Sequence, residues 1–472
     1  MTTILAAGAY LPRHRLDRAA AGIGRGSRSI ASFDEDATSM AVEAARRVVD
    51  ADAKGRISAV VFATTSPPYA DRTNASAIRQ ALDLDASVAA YDAVGAVRSV
   101  VGALRAAADA SSAGRTTLLV AADVRVGLPG SSDERDGGDG AAALLLGPGA
   151  AARAELVATG AASAEFLDRW RVPGEPTAKV WEERFGETEY VPLAEAALAD
   201  ALKAAGLAAA DIDHLIVTGL HTRAVGIARR SAGVRPEAIV DDLAGTIGVT
   251  GAAHPLLLLT DVLERATPGQ VIALLVLADG ADCLVFRAGA SAGQGGTVRS
   301  VADQLPGRPV GHTDALVWRG LLKREAPRRP DPDRPAAPPS SRNASWKYGF
   351  VGSRCSDCGT RHLPPERVCL GCRSVDHMER EPLADLQGTI TTFAIDHLAF
   401  SVAPPVVAAV VDLDGGGRIQ CELADVEPSE VAIGDRVEMT FRRLYTTADG
   451  VHNYFWKARP TSGGHPETQG AG

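Results

Sequence analysis

Cys355, Cys358, Cys369 and Cys372 form two Cys-x2-Cys knuckles with ten residues between them, and they are four of only six cysteines in 472 residues. Two knuckles at this spacing bring four thiolates within tetrahedral reach of one Zn²⁺ ion. Gly359 and Gly371 follow or interrupt the knuckles, where tight turns let backbone N–H groups approach sulfur. Four thiolates close the coordination shell and leave no position for water or substrate, so the chemistry expected here is structural rather than catalytic. A redox dithiol pair and unmetallated thiols are the weaker alternatives. Arg354, Arg361, Arg367 and Arg373 lie close by without an aromatic stacking platform, which argues against a nucleic-acid-binding ribbon.

Asp92 lies in Ala90–Leu104, AYDAVGAVRSVVGAL, a segment that enters a helix after an apolar approach. It reads either as the N-cap of that helix, or as an acid held ionised by the N–H groups of the first turn. His221 follows the apolar run LIVT, where a strand ends and a helix begins. That is the carboxyl edge of a sheet, and a neutral imidazole there accepts a proton or donates to a carbonyl oxygen. A structural role is the plainer alternative. His254, in IGVTGAAHP, faces either a site or solvent. The Gly/Asp-rich segment Gly127–Gly147 reads as a mobile loop before a buried strand rather than a phosphate cradle, because of its many Asp residues.

The elements that position these groups fall into two styles. Over roughly the first 290 residues, continuous apolar runs (Val60–Thr64, Leu118–Ala122, Ala141–Leu146, Leu215–Thr218, Ile272–Leu277 and Cys283–Phe286) predict strands covered on both faces. Helical patterns at Ala37–Asp50, Thr73–Leu82, Gly95–Ala110, Leu193–Ala205 and Ala252–Ala266 alternate with them, giving an α/β fold with helices on both sides of a mixed sheet. Ala37–Thr65 matches Leu193–Gly219 in order, which indicates an internal duplication. Asp314–Arg324 reads as a short amphipathic helix. Ala326–Ser345, rich in Pro and Arg, reads as an extended linker. After the knuckles, Gly388–Ile395, Val406–Asp412, Arg418–Leu423 and Arg436–Phe441 read as strands of a small OB-type barrel. The expected division is 1–150 and 151–290 for the two halves, 291–345 for helix and linker, 346–385 for the zinc ribbon, 386–460 for the barrel and 461–472 for a flexible tail.

The net charge of −9 gives no reason to expect a nucleic-acid or membrane-surface partner. No apolar stretch approaches the ~18 residues of a membrane span, the N-terminus lacks a signal-peptide pattern, and paired thiols suit a reducing cytoplasm.

FATTSPPYADRTNASAIRQAL, AYDAVGAVRSVVGAL, LLVAADVRVGLPGSSDERDGGDGAAALLLG and IGVTGAAHPLLLL resemble a thiolase-fold enzyme of the 3-hydroxy-3-methylglutaryl-CoA synthase and ketoacyl synthase III type. The segment from WRGLLKREAPRRPDP through SRCSDCGTRHLPPERVCLGC is similar to a zinc-ribbon plus OB-fold family that partners thiolase-like proteins. The resemblance implies a duplicated five-layered α/β/α/β/α domain, acyl-thioester chemistry on acyl-CoA or an acyl carrier, structural Zn²⁺ and a homodimer. In that family a cysteine at the turn before the central helix is acylated. The resemblance puts this position at or beside Asp92, and the chain has no cysteine in its first 282 residues. Cys283 reads as core packing. The family histidine matches His221, the ketosynthase asparagine falls at Val249, and the synthase glutamate base falls near Thr65. Some related lyases that also lack the cysteine use tyrosines, for which Tyr91 and Tyr69 are the candidates. Three functions follow as expectations: non-covalent C–C bond formation or acyl transfer, aldolase-type cleavage of a β-hydroxyacyl-CoA, or a scaffold that channels acyl groups.

Overall fold

The apolar runs become strands with both faces covered, as their unbroken hydrophobicity requires. In the computed structural model, which describes residues 2–149, 152–294, 299–325, 328–330 and 332–461, every residue of Thr116–Asp123, Gly140–Gly147 and Val271–Leu277 is buried. The chain separates into two units. One comprises Met1–Ser32, Asp36–Ile78 and Ala86–Leu321; the other comprises Phe33–Glu35, Arg79–Asp85 and Leu322–Gly472.

The first unit is built twice from one plan. Its first half runs β1 (Thr2–Tyr10), α1 (Ala37–Ala45), β2 (Ile57–Thr64), α2 (Ala75–Ala81), β3 (Ala89–Val94), α3 (Ser99–Ser112), β4 (Thr116–Asp123) and β5 (Gly140–Gly147). The second runs β6 (Ala154–Ala162), α4 (Glu183–Ala205), β7 (His214–Gly219), α5 (Thr222–Ser231), α6 (His254–Arg265), β8 (Val271–Leu277) and β9 (Ala281–Ala288). Together they form a nine-stranded sheet in the order β7-β8-β9-β6-β1-β5-β4-β2-β3. In the first half β2–β4 is parallel, while β4–β5 and β5–β1 are antiparallel. In the second, β7–β8 is parallel, while β8–β9 and β9–β6 are antiparallel. A parallel bridge from Leu215 to Ile239 stands where β3 stands in the first half, and β1 joins β6 to link the copies. The duplication expected from Ala37–Thr65 against Leu193–Gly219 is therefore α1–β2 against α4–β7.

Side-chain alternation defines the layers. Ile272, Leu274 and Val276 of β8 join Val101 and Leu104 of α3 and Leu257 and Leu258 of α6 in one core. Ala273, Leu275 and Leu277 point the other way, into a second core with Leu198 and Leu202 of α4 and Val225 and Ala228 of α5. The central helices α3 and α6 thus share a layer, α4 and α5 form an outer layer, and α1 packs on β1, β4 and β5. This is the five-layered arrangement expected. The sequence reading missed β1, β3 and β6, which are alanine-rich and lack both β-branched enrichment and alternation.

In the second unit, β10 (Val351–Cys355) pairs with β11 (Arg361–His362) and β12 (Met378–Pro382). Five strands, β13 (Gln387–Asp396), β14 (Val406–Leu413), β15 (Arg418–Glu422), β16 (Arg436–Thr446) and β17 (His452–Pro460), form a sheet in the order β15-β14-β13-β16-β17. A bridge from Leu423 to Ala458 brings the first and last strands together, so the barrel nearly closes. One expectation needs correction. The linker is not extended throughout: Ala337–Arg342, with prolines in its first turn, and Ala344–Lys347, whose Trp346 ring lies 5.4 Å from that of Phe455, are short helices. The expected tail at 461–472 lies, after Thr461, outside the described residues.

Candidate functional site

The loop after β2 meets the carboxyl end of β4 in the first unit, at the edge where an open α/β sheet places its ligands, and His221 stands at the carboxyl end of β7. The turn from β3 into central helix α3 is Gly95–Arg98, and Gly95 holds φ +117 with open space where a Cβ would point. Its N–H donates to the Thr64 carbonyl at 3.3 Å. Asp92 is not at this turn, which corrects both its placement and its reading as the N-cap of α3. It sits within β3, opposite Phe62, and its carboxylate caps a different helix, α2. It accepts from Asn74 N–H at 2.7 Å, Asn74 Nδ2 at 3.0 Å and Ala75 N–H at 2.8 Å. Helix α3 begins after Arg98 with no side-chain cap. Tyr91 points outward from the edge strand, 58% exposed. The Tyr69 ring carries the Arg72 guanidinium 5.4 Å from its centroid.

A buried carboxylate that the sequence reading passed over organises the site. Asp123, at the end of β4 and fully buried, accepts from Thr64 Oγ1, Thr65 N–H, Thr65 Oγ1, Ser66 N–H, Ser66 Oγ and Ala252 N–H at 2.6–3.2 Å. A Cβ at Gly251 would meet Asp123 Oδ2 at 2.0 Å, and Gly251 has φ +58, so only glycine fits there. The signal was legible: an aspartate ending an otherwise apolar, two-sided strand must be buried and satisfied. Thr65, where the resemblance placed a glutamate, is buried between this carboxylate and two arginines. Arg125 donates to Thr65 Oγ1 at 3.1 Å and to Asp133 at 3.1 Å. Arg171 donates to the Thr65 carbonyl. The Gly127–Gly147 segment is pinned rather than mobile. Asp133 and Glu134 of its helix Ser132–Asp136 are buried, and Arg169 adds a second ion pair to Asp133 at 2.7 Å. Burial alone would raise the Asp133 carboxyl, yet Arg125 and Arg169 hold it below the usual range.

His221 is the N-cap of α5, at the end of β7. Its Nδ1 accepts Ala224 N–H at 3.1 Å, which assigns the neutral ring's proton to Nε2 and makes that edge a donor. The ring lies 5.8 Å from Tyr190, and a Cβ on Gly186 of α4 would meet Nε2 at 2.5 Å. The sequence reading did not find Tyr190. It is buried, and burial raises its hydroxyl above the ordinary range. His254 faces the interior rather than solvent. It is 1% exposed with Nδ1 3.2 Å from Thr250 Oγ1, and burial lowers it to about 4. Val249 is buried beside it. Cys283 is buried in β9, its thiol pushed up to about 12 by burial, so it is no nucleophile.

In the second unit the Sγ atoms of Cys355, Cys358, Cys369 and Cys372 all lie within 4.8 Å of one another, with Cys355–Cys372 at 3.6 Å and Cys358–Cys369 at 3.4 Å. A tetrahedron of thiolates about 2.3 Å from zinc has S···S edges of about 3.8 Å, so the set fits that ion. The Cys372 N–H donates to Cys369 Sγ at 3.4 Å and holds that thiol down, to about 5, and the Thr360 hydroxyl lowers Cys358. A Cβ at Gly371 would meet Thr360 Oγ1 at 2.7 Å and the Cys358 and Cys369 sulfurs at 3.6 Å, so this position beside the thiols suits glycine.

Residues 347–377 match the family described as ChsH2, rubredoxin-like zinc ribbon domain, and residues 381–442 match ChsH2, C-terminal OB-fold domain. A DUF35 domain-containing scaffold protein of Methanocaldococcus jannaschii is 34% identical over 125 residues, 26% of this chain and 88% of the relative. A hydroxymethylglutaryl-CoA synthase of Aeropyrum pernix is 30% identical over 262 residues, 54% of this chain and 72% of the relative. A solved structure of HMG-CoA synthase complexed with CoA shares the fold with a TM-score of 0.58 at 17% identity, covering 69% of this chain and 91% of that one.

Proposed function

From a chain that belongs to the hydroxymethylglutaryl-CoA synthase family and carries the DUF35-type zinc ribbon and OB fold behind it, we propose a thioester-dependent enzyme that makes or transfers acyl groups without an acyl-enzyme. The observation that carries this reading is Gly95. The turn into the central helix, where the resemblance expects a nucleophilic cysteine, opens on Gly95, which has no side chain, and carries no nucleophilic group. An acyl-CoA or acyl-carrier thioester is bound with its carbonyl toward His221, whose Nε2–H polarises it as an oxyanion donor. In carbon–carbon chemistry the thioester loses an α-proton and its enolate oxygen is held by His221. The α-carbon adds to the carbonyl of a second substrate and the resulting alkoxide takes up a proton, with the C–S bond intact. The reverse cleaves a β-hydroxyacyl-CoA, and acyl transfer instead breaks the C–S bond and releases CoA thiol. The four cysteines of the ribbon hold structural zinc. The protein acts in a reducing compartment such as the cytoplasm, where those thiols stay metallated.

A homodimer is part of the same reading. Strand β3 is an edge of the nine-stranded sheet, with Tyr91 58% and Val94 48% exposed, and such an edge is a template for pairing with a second copy. A second reading, an acyl-channelling scaffold without chemistry of its own, is favoured by the same missing nucleophile and by the relatives named as scaffold proteins.

Turnover and intact-mass measurements over a panel of acyl-CoAs test the proposal. Saturable binding and turnover without a mass adduct are expected, and His221→Asn, which keeps a capping side chain, should lower kcat by ~10²-fold or more. A stable acyl adduct rejects the route without an acyl-enzyme, and failure to bind any thioester rejects the enzyme reading. Turnover in a partner-coupled assay that His221→Asn leaves unchanged selects the scaffold.

A further inference from the structure

Thr65 is met by two arginines from different segments. Arg125, following β4, reaches its hydroxyl, and Arg171 reaches its carbonyl. Arg171 comes from a hairpin in which Arg169–Trp170 pairs with Lys179–Val180. Alternation along that segment sends Arg169 to Asp133 and Arg171 to Thr65, while Trp181 and Val172 stay exposed on the hairpin. Three guanidinium groups (Arg125, Arg169 and Arg171) therefore face two carboxylates, Asp123 and Asp133. Asp133 is shared by Arg125 and Arg169. Asp123 is filled by six hydroxyl and backbone donors. Nearby, Arg319 pairs with Asp139, and Arg28 donates to the backbone carbonyls of Glu134 and Arg125. Among the described residues no carboxylate pairs with Arg171, and its residue is exposed. The Arg125 side chain is nine-tenths buried, and its Nε–H has no hydrogen-bond partner. Arg171 is thus left without a carboxylate partner, and the Arg125 Nε–H is a buried donor with no acceptor.

We infer that Arg171, with Arg125 behind it, is a subsite for a carboxylate on the acyl group, so that the preferred thioester is the monothioester of a dicarboxylic acid. The inference rests on the thioester reading above, because it is the Gly95 turn, bonded to Thr64, that places the acyl carbon near Thr65. A planar guanidinium with free N–H groups binds a carboxylate in a two-point fork. The location favours an acyl carboxylate over the phosphates of CoA: Thr65 stands next to the turn where the acyl group reacts, not where a nucleotide enters.

Calorimetric titration with succinyl-CoA and glutaryl-CoA against butyryl-CoA and pentanoyl-CoA compares charged and uncharged acyl groups of equal chain length. The native protein should bind the charged members at least tenfold more tightly, and Arg171→Gln should bring the two classes together. Equal affinity for both classes in the native protein overturns the inference and leaves the thioester reading standing. Absence of binding to all four removes both. If Arg171→Gln weakens CoA itself by the same factor, the guanidinium reads the nucleotide phosphates and the inference is wrong.

Discussion

Six donors converge on the Asp123 carboxylate from two loops, one after β2 and one before α6. A buried carboxylate is tolerated only when its lone pairs are filled this completely. Asp123→Asn puts an amide N–H₂ where an acceptor is needed, and should lower unfolding free energy by on the order of 3 kcal/mol in urea titration. His254 makes a different prediction. Its folded value of about 4 lies below the unfolded ~6.5, so the unfolded chain binds more protons between these limits and stability rises with pH across them. The contribution is fully present above pH ~6.5 and is lost as pH falls toward 4, on the order of 3 kcal/mol in all. A stability-against-pH series should show this slope, and His254→Gln should flatten it. The identities of His221 and His254 were visible in the chain, but their surroundings were not. Nothing in the order of residues says that one imidazole caps a helix through Nδ1 while the other is sealed in the core.

Two elements turn on a single interaction each. Helix α2 spans only seven residues, and its first N–H groups are satisfied by Asp92 from the neighbouring strand. Asp92→Ala should cost roughly 1–2 kcal/mol in thermal or denaturant unfolding, while His221-dependent turnover per folded molecule stays intact. A loss of turnover beyond the loss of folded protein would return Asp92 to a catalytic role. The zinc ribbon is the second case. Its strands β10–β12 are short, and few apolar side chains hold them: Leu370, Val368 and Val375 are exposed. Small modules of this kind fold on their metal. Chelation should abolish amide-exchange protection at Val351–Cys355 while leaving Thr116–Asp123 protected. Persistence of the ribbon's protection would mean that its thiols are not held by zinc. The knuckles were readable because ligand spacing is local. The alanine-rich strands were not, because they are strands only through the neighbours that pair with them.

For the molecule as a whole, the edge strand β3 sets a test of assembly. Tyr91→Glu with Val94→Lys puts charges along that edge and should convert a dimer to a monomer in light scattering, with the far-UV spectrum unchanged. Among the described residues no helix is long and apolar enough to cross a membrane. The sequence alone determined the α/β class, the duplication, the zinc ribbon with its barrel and the absence of a cysteine nucleophile, because periodicity, ligand spacing and residue identity are properties of the linear chain. Only the tertiary structure decided that Gly95 rather than Asp92 occupies the turn into α3, that Asp92 serves another helix, and that Arg125 and Arg171, 46 positions apart, both reach Thr65. Those facts depend on how strands register and on which loops share one end of a sheet, and long-range packing fixes both.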